Sequence, residues 1–426
     1  MNDTRKKNLI KSSVIVSFFV CLGKIFGFLK QTVIAWAFGA SAGTDIYFAA
    51  DSYIAMIGQI QISSIAPSVL TEYIYLNEAK KTEELKALLR KCFFIFPLIA
   101  VLLIIINVVM ADCISCFMGI SYSLEQRYEL KKFIIYLCPV ILFTAFSGVS
   151  TGILDANSKF IPSKLLSLFF SIAIILFVLL YKNKIGINSM LIGFLVGYGV
   201  HTFFITILAK KYFTFGKIIK NDLSFRRVIN NIFPLVLGNS IIDVGHLIDK
   251  IIASSLTTGS VSYLYYGQVI SNDLINAVII TSIGTVLLPS LTKMAANKCD
   301  GSEIAARITS ILNIIITLLI GIICLYIVEG SDLIKLFFER GKFSSNSTDF
   351  VTKIALCYVV GFCFIAVREV LTKIYYAYQD TKTPMKNGVI GVVINIILSL
   401  ILSRYIGVAG IALATSISIA IVACLM

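Results

Sequence analysis

The sequence predicts an all-α polytopic membrane protein with about twelve transmembrane helices in two six-helix lobes. Hydrophobic residues make up 58% of the 426 residues and charged residues only 14%, and the mean hydropathy is +0.91. Apolar blocks of about 20 residues, long enough for a helix to cross a bilayer, recur along the whole chain. This composition excludes a soluble globular protein.

The predicted spans follow one another with short connections, none long enough for a folded soluble domain. They cover residues 12–38, 45–70, 92–110, 133–154, 162–181, 187–209, 228–253, 261–288, 308–328, 351–376, 387–403 and 407–425. The longest connection, 72–91, has the composition of an amphipathic helix lying on the inner membrane surface.

The net charge of +14 is explained by membrane topology. With a cytoplasmic N-terminus, more than half of the 37 lysines and arginines fall in cytoplasmic segments, as the positive-inside rule requires. Most of this charge then sets the orientation and attracts anionic membrane lipids. A nucleic acid partner is not needed to explain it.

An internal repeat predicts the division into two lobes, 1–215 and 216–426. Pro67 in "APSVLTEY" matches Pro289 in "LPSLTKM", and Pro162 matches Pro384, with 222 residues separating each pair (289 − 67 and 384 − 162). Because six helices lie between the copies, the repeat is parallel, related by a pseudo-two-fold axis along the membrane normal. The substrate is expected between the lobes, near the middle of the membrane.

Three charged residues near the N-terminus are candidates for that substrate site. Lys24 lies roughly 18 Å from the nearer end of its span, where a lysine costs about 2.5 to 3.5 kcal/mol. A water-filled cavity that receives an anion would compensate this cost. Lys30 is about 12 Å from the outer end, so its ammonium could face the cavity or extend to the interface. Asp45 begins the second span and is either functional or a helix N-cap.

A second charged cluster lies in "IIDVGHLIDKIIA". Asp243, His246 and Lys250 share one helix face, with Asp249 beside His246. Either these groups neutralise one another structurally, or they form a proton-linked or sodium-linked site to which Asp273 could also belong.

Further along, Glu369 and Lys373 have the spacing of a favourable i, i+4 pair. Arg368 is an additional candidate for the cavity. No catalytic role is assigned to any of these residues.

Enzymatic and metal motifs give no support for a catalyst. "GVSTG" at 148–152 fits G-x-S-x-G but lies inside a predicted membrane helix. No P-loop occurs in the sequence. Cys113 and Cys116 form a C-x-x-C without a second ligand pair, so neither zinc nor a cofactor is expected.

Several ordered motifs resemble those of one membrane protein family. The motifs are "GKIFGFLKQTVIAWAFGASAGTDIYFAA" (23–50), "GSVSYLYYGQVI" (259–270), "IGTVLLPSLTKMAA" (283–296), "LFFERGKF" (336–343) and "YYAYQDTKTPMKNGVIGVVINIILSL" (375–400). They resemble the MurJ/MviN lipid II flippases of the multidrug/oligosaccharidyl-lipid/polysaccharide (MOP) exporter superfamily. The resemblance covers essentially the whole chain.

The resemblance implies which residues contact the substrate. Lys24 and Lys30 match the two first-helix arginines of the family, and Asp45 matches its acidic residue after the first outer turn; all three resemble central-cavity residues required for transport. Gln268 and Val269 stand where some members have Asp-Arg, and the second helix lacks the arginine and glutamate of well-known relatives. The family usually has fourteen helices, so helices 13 and 14 are expected to be missing here.

The resemblance further implies a non-enzymatic flippase of the bacterial plasma membrane that moves an undecaprenyl-pyrophosphate-linked peptidoglycan precursor, lipid II, by alternating access. Coupling to Na⁺, H⁺ or the membrane potential is expected, and the protein is expected to be a monomer. A flippase for another polyprenyl-linked oligosaccharide, such as an O-antigen, capsule or teichoic-acid unit, is the alternative. A cation-coupled multidrug antiporter is a more distant one, because the cationic first helix argues against a pocket for cationic drugs.

Overall fold

A computed structural model of the chain describes residues 3–213, 223–273, 301–378, 380 and 382–426. Within these residues every regular element is helical. This is the expected outcome for an apolar chain, because a helix satisfies its backbone hydrogen bonds within one segment and needs no water to do so. The predicted all-α fold is confirmed.

The helices before residue 213 alternate long apolar segments with short connections. They are α1 (Asp3–Phe38), α2 (Ala42–Glu78), α3 (Thr82–Val109), α4 (Ala111–Met118), α5 (Leu124–Leu137), α6 (Pro139–Ala156), α7 (Ile161–Lys164), α8 (Leu166–Ile185) and α9 (Asn188–Lys210).

The helices after residue 222 follow a similar order. They are α10 (Leu223–Ser254), α11 (Ser260–Gln268), which continues into a π-helical turn (Val269–Asp273), α12 (Gly301–Phe338), α13 (Ser345–Val359), α14 (Phe362–Ala377), α15 (Lys382–Ile406) and α16 (Val408–Leu425).

The described residues contain ten helical segments long and apolar enough to cross a membrane, or eleven if α13 and α14, which meet at a 41° bend, form one span. The sequence predicted twelve. The predicted span 261–288 runs into residues 274–300, which lie outside the described part of the chain, as does Pro289 of the repeat.

The connection 72–91 differs from its prediction. It forms the end of α2 and the beginning of α3, with a break only at residues 79–81, so the expected separate surface helix is wrong. The physical reason is burial: Leu76 at the end of α2 and Leu85 and Leu88 at the start of α3 belong to one hydrophobic core. Burying these side chains stabilises the two helices where they extend towards the turn.

By their internal contacts the residues fall into two compact units. One consists of residues 1–33 and 46–243, and the other of residues 34–45 and 244–426. The second unit thus includes the end of α1, the following turn and the first residues of α2. The predicted lobe boundary at residue 215 lies in the segment 214–222, outside the described residues, and stays a prediction.

In the first unit α8 packs against α9, α9 against α6, and α6 against α3. Two glycines one turn apart allow the closest of these approaches. A Cβ on Gly193 would lie 2.7 Å from the Cα of Ile174, and a Cβ on Gly197 would overlap the Cα of Phe170. Small residues with this spacing let membrane helices approach closely and gain van der Waals contacts.

Replacing Gly197 with alanine is therefore expected to destabilise the first unit, by about 1 to 3 kcal/mol, because the added methyl overlaps the backbone of α8. Gly238→Ala in α10 is the matched control, since a Cβ there meets no atom within 4 Å and alanine favours the helix. Thermal unfolding of the purified protein measures both. Equal melting temperatures for the two variants would contradict the close packing.

The second unit repeats this arrangement. In it α15 packs against α16, α16 against α13 and α14, and both α13 and α14 against α12. Three pairs of helices begin at nearly the same separation along the sequence as Pro162 and Pro384. The pairs are α5 and α13, α6 and α14, and α9 and α16. The order and packing of the helices thus support the internal repeat that the prolines predicted.

Candidate functional site

The two lysines of α1 have different environments. Lys24 is exposed, whereas the Lys30 side chain is buried, with 6% of its surface accessible. Gly23, the residue before Lys24, faces Ser167 of α8, where a Cβ would overlap the serine hydroxyl. One buried ammonium and one accessible ammonium therefore lie on the same helix of the first unit.

The Lys30 ammonium lies over an aromatic ring. Its Nζ is 4.5 Å from the ring centroid of Phe170 in α8, and Phe170 in turn stacks on Tyr198 of α9 with a centroid distance of 5.7 Å. A cation placed over a ring in a poorly hydrated site is stabilised by the ring quadrupole. This packing keeps Lys30 within the first unit.

Asp45 lies in the second unit and caps a helix other than its own. Its Oδ2 accepts from the N–H of Gly259 (2.6 Å), and its Oδ1 accepts from the N–H of Ser262 (2.8 Å) and from the Ser262 hydroxyl (2.6 Å). Gly259 is the N-cap of α11, with φ of +94°, and has no side chain that could cap the helix. The carboxylate of Asp45 takes over that role from α2.

The arrangement satisfies both oxygens of a carboxylate that is only 3% exposed. It also places the negative charge at the positive end of the α11 dipole. The prediction that Asp45 caps a helix was close, but Asp45 lies in the first turn of α2 and caps α11. No spacing in the sequence indicates a partner more than 200 residues away.

Asp249 is the best enclosed carboxylate of the second cluster. It is 6% exposed, and its Oδ1 accepts from the Ser399 hydroxyl of α15 at 3.0 Å. In the orientation that satisfies both ends of its amide, Asn395 donates to the same Oδ1 (3.1 Å) and accepts from the N–H of Thr415 in α16 (3.2 Å). A carboxylate of α10, a hydroxyl and an amide of α15 and a backbone N–H of α16 thus meet in one hydrogen-bonded group.

A buried carboxylate with neutral hydrogen-bond partners suits a proton or a single small cation. The described residues contain no group of three or more His, Cys, Asp or Glu side chains that could hold a metal ion. Asp249 contributes the carboxylate of this group, and the Ser399 hydroxyl and the Asn395 amide contribute neutral donors.

His246 lies beside cations. Lys250 and Arg368 are both close enough to its ring to interact with it electrostatically. The Lys250 ammonium itself lies over the ring of Tyr265 in α11, 4.8 Å from the centroid. Neighbouring positive charges disfavour a bound cation at His246. Lys250 also interacts electrostatically with Asp249, so this lysine belongs to the surroundings of both groups.

The predicted pair between Glu369 and Lys373 is wrong. Glu369 accepts instead from Arg368, its neighbour in α14, at 2.8 Å, and the Lys373 ammonium lies 5.7 Å from the ring centroid of Tyr376. The long side chain of Arg368 reaches the adjacent carboxylate through one N–H group.

The remaining candidates are only partly described. Gln268 is the last residue of α11 and is half-buried, and Asp243 is half-buried on α10. Asp273 ends the π-helical turn, and its side chain lies outside the described residues. The "GVSTG" segment lies within α6, as predicted, and Cys113 and Cys116 are exposed free thiols on α4.

Sequence reasoning missed three polar residues near these sites: Asp51, Asn395 and Ser399. The only available signal for Asp51 was a carboxylate inside an apolar span, a feature that is costly in a membrane and marks a functional candidate. Asn395 and Ser399 are one helical turn apart on α15, a spacing that is too common to single them out.

Comparison with known proteins gives the family. The profile described as "Lipid II flippase MurJ" matches residues 34–426. The chain belongs to the MurJ family. A probable lipid II flippase MurJ of Vibrio cholerae is 26% identical over 97% of this chain and 81% of its own length, and the lipid II flippase MurJ of Thermosipho africanus is 28% identical over 96% of this chain and 83% of its own length.

Solved structures agree with the MurJ assignment. A lipid II flippase MurJ in an inward closed conformation has a TM-score of 0.84 and 27% sequence identity, covering 97% of this chain and 86% of its own. An inward-facing multidrug resistance transporter of the MATE family and the MOP superfamily has a TM-score of 0.77 at 12% identity, covering 96% of this chain and 92% of its own. The second likeness shows the MOP exporter fold alone. This MurJ family member is thus a multi-pass membrane protein with that fold.

Proposed function

We propose that this MurJ family member is a lipid II flippase. It moves the lipid-linked peptidoglycan precursor across the bacterial plasma membrane by alternating access. The observation that carries the proposal is the family match over residues 34–426 together with the MurJ structure of TM-score 0.84. The protein moves its substrate without making or breaking a bond in it, and is therefore a transporter and not an enzyme.

The charges of α1 fit this substrate. A pyrophosphate diester brings about two negative charges, and ammonium groups in a weakly screening environment offset them. Lys24 is exposed and can meet the substrate first, whereas Lys30 is buried beside Phe170. Lysine offers a point charge without the fork of an arginine, so recognition of the phosphates is by charge more than by bidentate geometry.

The decisive experiment compares substrates. The purified protein in vesicles is expected to flip labelled lipid II, and depletion of the protein in its host is expected to raise the level of lipid II. Accumulation of another polyprenyl-linked glycan instead would favour the alternative flippase, which the altered second helix with its "GQIQISS" segment supports. Flipping of neither substrate would overturn the proposal.

The polar group around Asp249, formed with Asn395 and Ser399, is proposed as the coupling site. A buried carboxylate in a membrane helix is costly unless it is protonated or neutralised by a cation. The Ser399 hydroxyl and the Asn395 amide give Asp249 neutral partners, and Lys250 is close enough to interact with it electrostatically. H⁺ or Na⁺ would then compete with the Lys250 ammonium for the carboxylate. Binding and release of that cation would drive the return step of the transport cycle.

Replacing Asp249 with asparagine is accordingly expected to remove the dependence of flipping on the cation gradient, with a loss of rate of about tenfold or more. Initial flipping rates in vesicles with imposed Na⁺ or H⁺ gradients measure this. Asp332→Asn, a change at an exposed carboxylate of α12, is the control. An Asp249→Asn protein that still responds fully to both gradients would exclude the site.

The N-terminus is proposed to be cytoplasmic, because the basic segments then lie inside. Labelling of single cysteines at the membrane surface tests this orientation. The protein is proposed to act as a monomer, with anionic lipids as its neighbours.

A further inference from the structure

The described residues of α1 and α2 include four buried charged side chains: Lys30, Asp45, Asp51 and Glu72. Asp45 caps α11, and Glu72 pairs with Arg227 at 3.3 Å, so Lys30 and Asp51 are the two considered next. Asp51 on α2 is 7% exposed, and Lys30 on α1 is 6% exposed. An ionised side chain removed from water is strongly destabilising unless an opposite charge accompanies it. The two side chains therefore require compensation, and each carries the charge that the other lacks.

Their positions in the helices agree. Lys30 lies eight residues before the end of α1, and Asp51 nine residues after the start of α2. At 1.5 Å per residue both lie about 12 to 14 Å from the turn that joins the two helices. The opposite charges thus lie at similar sequence distances from the turn between α1 and α2.

The two groups also share one aromatic pair. The Lys30 ammonium lies 4.5 Å from the ring centroid of Phe170, and the Asp51 carboxyl is close enough to Tyr198 to interact with it electrostatically. Phe170 and Tyr198 stack on each other, with an interplanar angle of 26°. Four helices of the first unit, α1, α2, α8 and α9, bring the two charges to opposite ends of this pair.

We infer that Asp51 is the counter-ion of Lys30, a positioning residue that holds the lysine in place until an anionic substrate group displaces the carboxylate. Only the displacement of the carboxylate by a substrate group rests on the proposed function; the pairing of Lys30 with Asp51 does not. Before substrate binds, the pair is neutral and the buried lysine is stabilised. Substrate phosphate then competes with Asp51 for the ammonium, so Asp51 sets how strongly an anion must bind to be accepted.

A double-mutant cycle on the full-length protein tests the pairing. Lys30→Gln and Asp51→Asn each leave one buried charge uncompensated, so each is expected to lower the melting temperature, while the double variant recovers most of that loss. Asp112→Asn is the control, because its partner Lys131 forms an exposed surface pair that contributes little. A double variant no more stable than the worse single variant overturns the inference.

Binding of inorganic pyrophosphate, measured by calorimetry, separates positioning from a purely structural role. Asp51→Asn is expected to bind pyrophosphate about fivefold to tenfold more tightly than the unaltered protein, because the carboxylate no longer competes. Asp51→Glu, which keeps the charge, is expected to restore the original affinity. Unchanged or weaker binding by folded Asp51→Asn overturns the competition. The double-mutant cycle measures stability without any lipid substrate. Failure of the flippase proposal would therefore be distinguishable from failure of the Lys30–Asp51 pairing.

Discussion

Replacing Lys24 with glutamine is expected to abolish complementation of a strain depleted of its lipid II flippase, while the amount of protein in the membrane stays normal. Lys24 is exposed, so its loss leaves no cavity in the core. The variant removes the positive charge from the accessible face of α1 and with it the attraction for the substrate phosphates. Growth after depletion and the membrane level of the protein are the two measurements.

Two further variants make this result specific. Lys24→Arg keeps the charge and is expected to support growth, since a guanidinium also binds phosphate. Lys131→Gln removes a lysine from a surface pair with Asp112 and is expected to behave like the unaltered protein. Full complementation by Lys24→Gln at normal abundance would refute the role of Lys24 in transport.

Replacing Asp45 with asparagine is expected to destabilise the second unit severely. The carboxylate accepts three hydrogen bonds from Gly259 and Ser262, and hydrogen bonds to a charged group are worth about 1.5 to 3 kcal/mol each. Asparagine has one acceptor oxygen and would direct an NH₂ group at an N–H donor of α11. The expected result is a marked loss of folded protein, measured by thermal unfolding and by the yield of monodisperse protein.

Ser262→Ala provides the graded comparison. It removes only the hydroxyl donor and leaves both backbone donors to Asp45, so the expected loss is smaller, on the order of 1 to 2 kcal/mol. A melting temperature for Asp45→Asn equal to that of Ser262→Ala would show that the capping of α11 by Asp45 contributes little.

Hydrophobic pattern was sufficient for the helices because lipid leaves the backbone few alternatives. The predicted spans 187–209 and 407–425 coincide closely with α9 and α16. The connection 72–91 was mispredicted because its polar surface residues concealed Leu85 and Leu88, which are buried. The hydrophobic period and the hydropathy of a segment depend on its own residues. They do not show which neighbouring helix packs against it.

The residues of the candidate site also fall into those that the sequence indicates and those that it does not. Lys24, Lys30, Asp45 and Asp249 could be selected from the sequence because charges inside apolar spans are costly and therefore conspicuous. Their partners could not be selected: Ser262 and Ser399 are ordinary serines, and each reaches its carboxylate across more than 100 residues of chain.

The sequence by itself determined that the chain crosses the membrane repeatedly, that its two halves repeat each other and that a few charges lie where lipid would be. Only the tertiary structure decided that Lys30 is buried over Phe170 while Lys24 is accessible, that Asp45 caps α11 and that Asp249 accepts hydrogen bonds from Ser399 and Asn395 of α15. The physical reason is that insertion into a membrane depends on local apolar content. The environment of a charge, in contrast, depends on which distant helix packs against it.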